Sequence, residues 1–201
     1  MSATPQRPAP ILTPYKDILS AREAARIFSR ANTPMQQMLL IAGQLEISGI
    51  IGHKIIAGML ETFHELVPDG RVVVLHTAAA FVLGEMKNGV KVDDNLVKGL
   101  AALLNFHDAA LRVRAHKVLI ALGANAAAAQ DYALGCIRNV DPQIRLSGAQ
   151  LLYTIGRACN RSLVKPMRLA VEKYPNDTDF CRILNACIVI LNTVTMPGRP
   201  A

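Results

Sequence analysis

The chain has no tryptophan, and phenylalanine and tyrosine together make up only 4% of its 201 residues. A protein that grips single-stranded nucleic acid by stacking bases on aromatic rings needs more than this. Long apolar runs are missing as well. The most apolar stretch, Val72 to Leu83, is broken by His76 and Thr77 and falls far short of the roughly 20 residues of a spanning helix. Residues 1–14 hold four of the eleven prolines and a single charge, Arg7. They contain no apolar run that could act as the core of a signal peptide, so the expected location is cytoplasmic. The four cysteines, Cys136, Cys159, Cys181 and Cys187, form no CxxC pair and no zinc-ligand spacing, which points to reduced, packed thiols. The five histidines are scattered without an HExxH motif, and no glycine-rich phosphate loop, nucleophile triad or carboxylate pair stands out. Neither a metal, a cofactor nor a catalytic residue is therefore expected.

What the chain has is apolar bulk, 51% of its residues against 18% charged, enough for a sizeable core. It also has a repeat. Counting from Asp69, Asp108, Asp141 and Asp177, apolar or small residues recur at offsets three, seven, eleven and fourteen, with His76 the one polar exception. Leu111, Ala115, Leu119 and Leu122 form the clearest set, and Ile144, Gly148, Leu152 and Ile155 repeat it. That spacing is the buried stripe of an α-helix. Asp at offset zero reads as an N-cap, Pro142 as a first-turn proline, and Gly84, Gly123, Gly156 and Asn192 at offset fifteen as stops. The copies start 39, 33 and 36 residues apart, which leaves room for a second, antiparallel helix in each unit and matches the period of helical solenoids.

The intervening helices are predicted near 51–67, 94–105, 126–138 and 161–174. A short helix capped by Ser20 with Glu23 comes first, followed by a degenerate unit that starts at Thr33 and Pro34 and carries its stripe on Met35, Met38, Leu39, Ala42 and Leu45. The whole divides into a proline-rich flexible tail at 1–15, one helical domain at 16–194 and a second flexible tail at 195–201.

The segment Asp141, Pro142, Gln143, Ile144, Arg145 with Gly148, Leu151, Leu152, Ile155 and Gly156 resembles the second helix of a HEAT repeat, and Asp108, Leu111, Arg112, Ala115, Leu119, Leu122 and Gly123 match it equally well. Asp69 to Gly84 departs from the pattern at Val73, where arginine is usual, and Asp177 to Asn192 departs from it at Cys181. The resemblance implies an all-α, right-handed α-solenoid of about five HEAT-like helix pairs. It also implies that Asp108, Arg112, Asp141 and Arg145 form a structural ladder along the array. Such arrays serve mainly as interaction scaffolds, so a non-catalytic assembly subunit with a protein partner is the expected function.

Two surfaces compete for that partner. At offset twelve the copies carry Phe81, Ile120, Tyr153 and Val189, larger than the small or polar residues usual there. This column, rimmed by Lys117, Gln150 and Arg157, reads either as a partner surface or as a seam buried between units. The second surface is basic. Residues 101–201 hold twelve Lys/Arg against six Asp/Glu, whereas 1–100 hold ten against nine. Arg161, Lys165 and Arg168 share one helical face, with Arg138 nearby in sequence, and offer contacts to phosphate or an acidic partner. That row supports the alternative of a nucleic-acid-binding protein, including the rare HEAT-like DNA-repair enzymes. A factor for cofactor attachment or enzyme maturation is a third, weaker alternative.

Overall fold

The computed structural model describes residues 21–193, and the expected tails, like the Ser20 cap, lie outside that range. Among the described residues all regular structure is helical. The α-helices are α1 (Ala21–Phe28), α2 (Met35–Ile47), α3 (Ile50–Glu61), α4 (Pro68–Lys87), α5 (Asp94–Ala102), α6 (Ala109–Leu122), α7 (Gln130–Cys136), α8 (Pro142–Ile155), α9 (Val164–Lys173) and α10 (Thr178–Thr193), joined in part by 3₁₀ turns. No described helix is long and apolar enough to cross a membrane.

The helices alternate between two layers. α2, α4, α6, α8 and α10 pack on one another in chain order, while α1, α3, α5 and α7 with its preceding 3₁₀ turn do the same alongside them. α9 packs against α10 and is tied back to the α7 unit by the Tyr174 hydroxyl, which donates to the Arg138 carbonyl (3.2 Å). One continuous apolar core runs between the layers, from Ala24 and Phe28 to Leu191.

The predicted stripe holds closely in three helices. Leu111, Ala115, Leu119 and Leu122 of α6 are buried, as are Ile144, Gly148, Leu152 and Ile155 of α8 and Phe180, Leu184, Ile188 and Leu191 of α10. Asp108 and Asp141 are N-caps, accepting the N–H of Ala110 and of Gln143 respectively, each at 2.8 Å. Gly123 and Gly156 end α6 and α8 at φ +58° and +56°, a backbone that a side chain would strain. Gly148 is needed for a different reason: a Cβ there would stand 2.7 Å from the Cys136 Cβ and 2.8 Å from the Ala133 carbonyl oxygen, so α7 and α8 approach closely only over a bare backbone.

The first copy is out of phase by two residues. Pro68 is the first residue of α4 and Val67 its N-cap, so Asp69 lies inside the helix. Counted from Val67, the stripe becomes Gly70, Val74, Ala78 and Phe81, all buried, whereas His76 and Ala80 of the expected stripe are exposed. The arginine missing from the pattern reappears as Arg71. It donates to the carbonyls of Phe63 (3.2 Å) and His64 (2.7 Å), as Arg112 does to Phe106 (2.7 Å) and His107 (3.0 Å). Gly84 is not a stop, because α4 runs on to Lys87 before Gly89 turns at φ +67°. Nor does Asn192 end its helix, since α10 continues to Thr193.

Further corrections concern caps and charges. Thr33 caps nothing in α2; its hydroxyl donates back to Ile27 O at 2.8 Å and closes α1. In α2, Met38, Ala42 and Leu45 are buried with Ile41, while Met35 and Leu39 are exposed, since among the described residues α2 is the first helix of its layer. The expected ladder is reduced to one ion-paired rung between units among the described residues. Arg145 donates to the carbonyls of Asn139 and Val140 (3.1 and 2.8 Å), reaches Asp177 Oδ2 at 2.9 Å and lies 4.0 Å over the Tyr174 ring. Arg112 stops at its own loop carbonyls. A buried guanidinium held by several acceptors is a structural fastener.

Candidate interaction cleft

On α8 the inward direction is set by Gly148, Leu152 and Ile155, so Gln150 and Tyr153, three residues apart, share the opposite side. The same holds for Lys117 and Ile120 on α6. Because α6 and α8 are neighbours in one layer, these four side chains come together around a cleft of about 450 Å³. α6 supplies His116, Lys117 and Ile120; α8 supplies Gln150, Tyr153 and Thr154; α10 closes it with Arg182 and Ile183. Tyr153 is 47% exposed, Lys117 is exposed, and Ile120 and Gln150 are half-buried.

The electrostatics are one-sided. α6 and α8 contain no Asp or Glu, and in α10 the sole acid is Asp179, which pairs with Arg182 at 3.1 Å. The capping carboxylates are engaged at the helix starts. His116 adds no charge at neutral pH, because burial pushes its pKa below the usual value and outweighs a backbone hydrogen bond with Ser147. Its Nε2 is buried without a hydrogen-bond partner.

The remaining sequence candidates lie elsewhere. Phe81 is 8% exposed and sits edge-on to the His53 ring at 4.2 Å. In the corrected phase it belongs to the buried stripe, and the residue at the column position of α4 is Ala79. His53 Nδ1 in turn lies 3.3 Å from Glu85 Oε1, and Glu85 Oε2 accepts the Asp93 N–H at 2.9 Å, which fastens α3 and α4 to the start of α5. Arg157 is exposed in the 3₁₀ turn after α8 and does not line the cleft. Arg138, Arg161, Lys165 and Arg168 are all exposed, but they belong to the α7 and α9 units of the other layer, so the basic row and the cleft are separate surfaces. Arg145 and Lys173, cations of the same half of the chain, are both engaged with the Tyr174 ring.

His116, Thr154, Arg182 and Ile183 are cleft residues that the sequence reading missed. For His116 and Thr154 the signal was present, since His116 lies four residues before Ile120 and Thr154 four after Gln150, each pair on one helix face. For α10 it was not, because Arg182 and Ile183 enter the cleft from offsets five and six, nearly two turns before the column position at offset twelve. Among the described residues no three His, Cys, Asp or Glu side chains converge as a metal site. Compared with protein-family models, with curated proteins and with solved structures, the chain has no match.

Proposed function

We propose that the two-layered array is a right-handed α-solenoid of about five HEAT-like pairs and that it works as a non-catalytic scaffold, binding a protein partner at the cleft between α6, α8 and α10. The observation that carries this reading is the convergence of Lys117, Ile120, Gln150 and Tyr153 from two helices with Arg182 and Ile183 from a third. An apolar floor with a polar rim is the usual anatomy of a binding hot spot. Tyr153 is 47% exposed, which leaves it free to anchor a partner while contributing less to the fold.

Capture of partners on the immobilised chain, with and without nuclease, tests the reading. The expected result is a protein that stays bound after nuclease and is released at least about 1 kcal/mol more readily by Tyr153→Ser, with the folding stability of the variant lowered by no more than about 1 kcal/mol. Retention of every partner by that variant refutes the cleft as the scaffold's binding site. The nucleic-acid alternative rests on the exposed row of Arg161, Lys165 and Arg168. It requires binding that falls steeply with salt and loses about three phosphate contacts when all three are replaced.

A further inference from the structure

The cleft also says what kind of segment fits it, an inference that rests on the scaffold reading above. We infer that it takes a short acidic peptide segment that inserts one bulky apolar side chain, with flanking carboxylates against Lys117 and Arg182. Volume comes first. About 450 Å³ lies in the range of small-ligand sites and suits one or two side chains rather than the flat face of a folded domain. The walls then choose the anchor: Ile120, Ile183 and the Tyr153 ring favour an aliphatic or aromatic group.

Charge chooses the flanks. With no acid on α6 or α8, Lys117 has no carboxylate on its own helix or the next to neutralise it. Arg182 does have Asp179, but both side chains are about 70% exposed, and such pairs are worth little, so a partner carboxylate can replace Asp179 at small cost. Gln150 and Thr154 supply amide and hydroxyl groups of the kind that satisfy a peptide backbone. A nucleic acid is served less well. The cleft offers one aromatic ring and two cations, neither a stacking platform nor a phosphate track.

The test uses the full chain and a labelled peptide with a central phenylalanine between two pairs of aspartate or glutamate residues, read by fluorescence anisotropy. Three controls accompany it: alanine for the phenylalanine, lysine for the acids, and a thymidine decanucleotide as competitor. The acidic phenylalanine peptide is expected to bind. Alanine at the anchor, Tyr153→Ser or Lys117→Glu should each weaken it about tenfold or more, and the lysine peptide should bind Lys117→Glu better than the parent chain. No binding at about 1 mM peptide, equal binding of the acidic and basic peptides, or indifference to both substitutions overturns the inference. Efficient displacement by the decanucleotide also overturns it and places nucleic acid in the cleft. Partner capture that still depends on Tyr153 when the peptide arm fails leaves the scaffold reading standing and removes only the acidic segment.

Discussion

Phe81 and Tyr153 share one column when the first repeat is counted from Asp69, and they separate when it is counted from Val67. Truncating each to alanine therefore tests the phase of the array. Phe81 is 8% exposed, and its ring packs edge-on to His53 at 4.2 Å. Loss of a buried phenylalanine costs about 3–5 kcal/mol including the cavity left behind, and the ring pair accounts for about 0.5–1.5 kcal/mol of it. Tyr153 is 47% exposed. With full burial of such a side chain worth about 1.5–3 kcal/mol, its truncation should cost about 1 kcal/mol. For a chain of this size each kcal/mol moves the thermal midpoint by about 2–4 °C, so Phe81→Ala should melt at least about 6 °C lower and Tyr153→Ala within about 4 °C of the parent. Urea titration with an unchanged slope gives the free energies directly. If Tyr153→Ala proved the more destabilising of the two, the corrected phase would be wrong and the cleft would be an internal seam.

The same replacement should act with opposite sign at two helical glycines. Gly148→Ala forces a methyl against the backbone of α7 and should cost about 1–3 kcal/mol, whereas Gly84→Ala meets nothing within 4 Å and should stabilise α4 by about 0.5–1 kcal/mol; urea midpoints that move the same way for both refute the packing argument. Burial pushes the thiols of Cys136, Cys159 and Cys187 up to about 11, about 12 and about 11, so at pH 8 a thiol reagent should titrate no more than Cys181 in the folded chain and all four after denaturation. The raised folded values also set a sign: the unfolded chain ionises these thiols from about pH 9, so stability is intact below that and falls as pH climbs towards 11. Rapid labelling of two or more thiols in the folded state contradicts the assigned burial.

The phase error in α4 has a physical cause that the sequence itself contains. Asp marks a helix start only loosely, because a carboxylate is welcome anywhere in the first turn, where it meets the helix dipole. Proline is the stricter marker, because its missing N–H and fixed φ suit the first helical position above all. Aligning Pro68 with Pro142 places Val67 opposite Asp141, brings Arg71 level with Arg112 and Arg145, and puts Gly70, Val74, Ala78 and Phe81 on the buried stripe. In α6, α8 and α10 the aspartate does stand just before the first helical turn, and there the stripe was legible throughout. Thr33 failed as a cap for a related reason. Its hydroxyl can donate as well as accept, and the carbonyl of Ile27 claimed it.

The candidate cleft was half legible, and the boundary between the halves follows from helix geometry. Periodicity fixes the rotation of each helix about its own axis, because a side chain that faces the core determines which ones face away. That was sufficient to group Lys117 with Ile120 and Gln150 with Tyr153. Periodicity carries no information about how far one helix slides along its neighbour. α6 and α8 enter the cleft at nearly the same offsets, but α10 enters earlier, by four residues for Arg182 against Lys117 and Gln150 and by six for Ile183 against Ile120 and Tyr153, or about 6–9 Å of helix. Equal counting therefore nominated Val189, which does not line the cleft, and passed over Arg182, which does. A binding surface spread across repeated helices depends on both rotation and slide. The contacts between units set the slide, through packing such as that of Tyr174 and Phe180 beside Arg145, and those contacts join residues 29 and 35 positions apart.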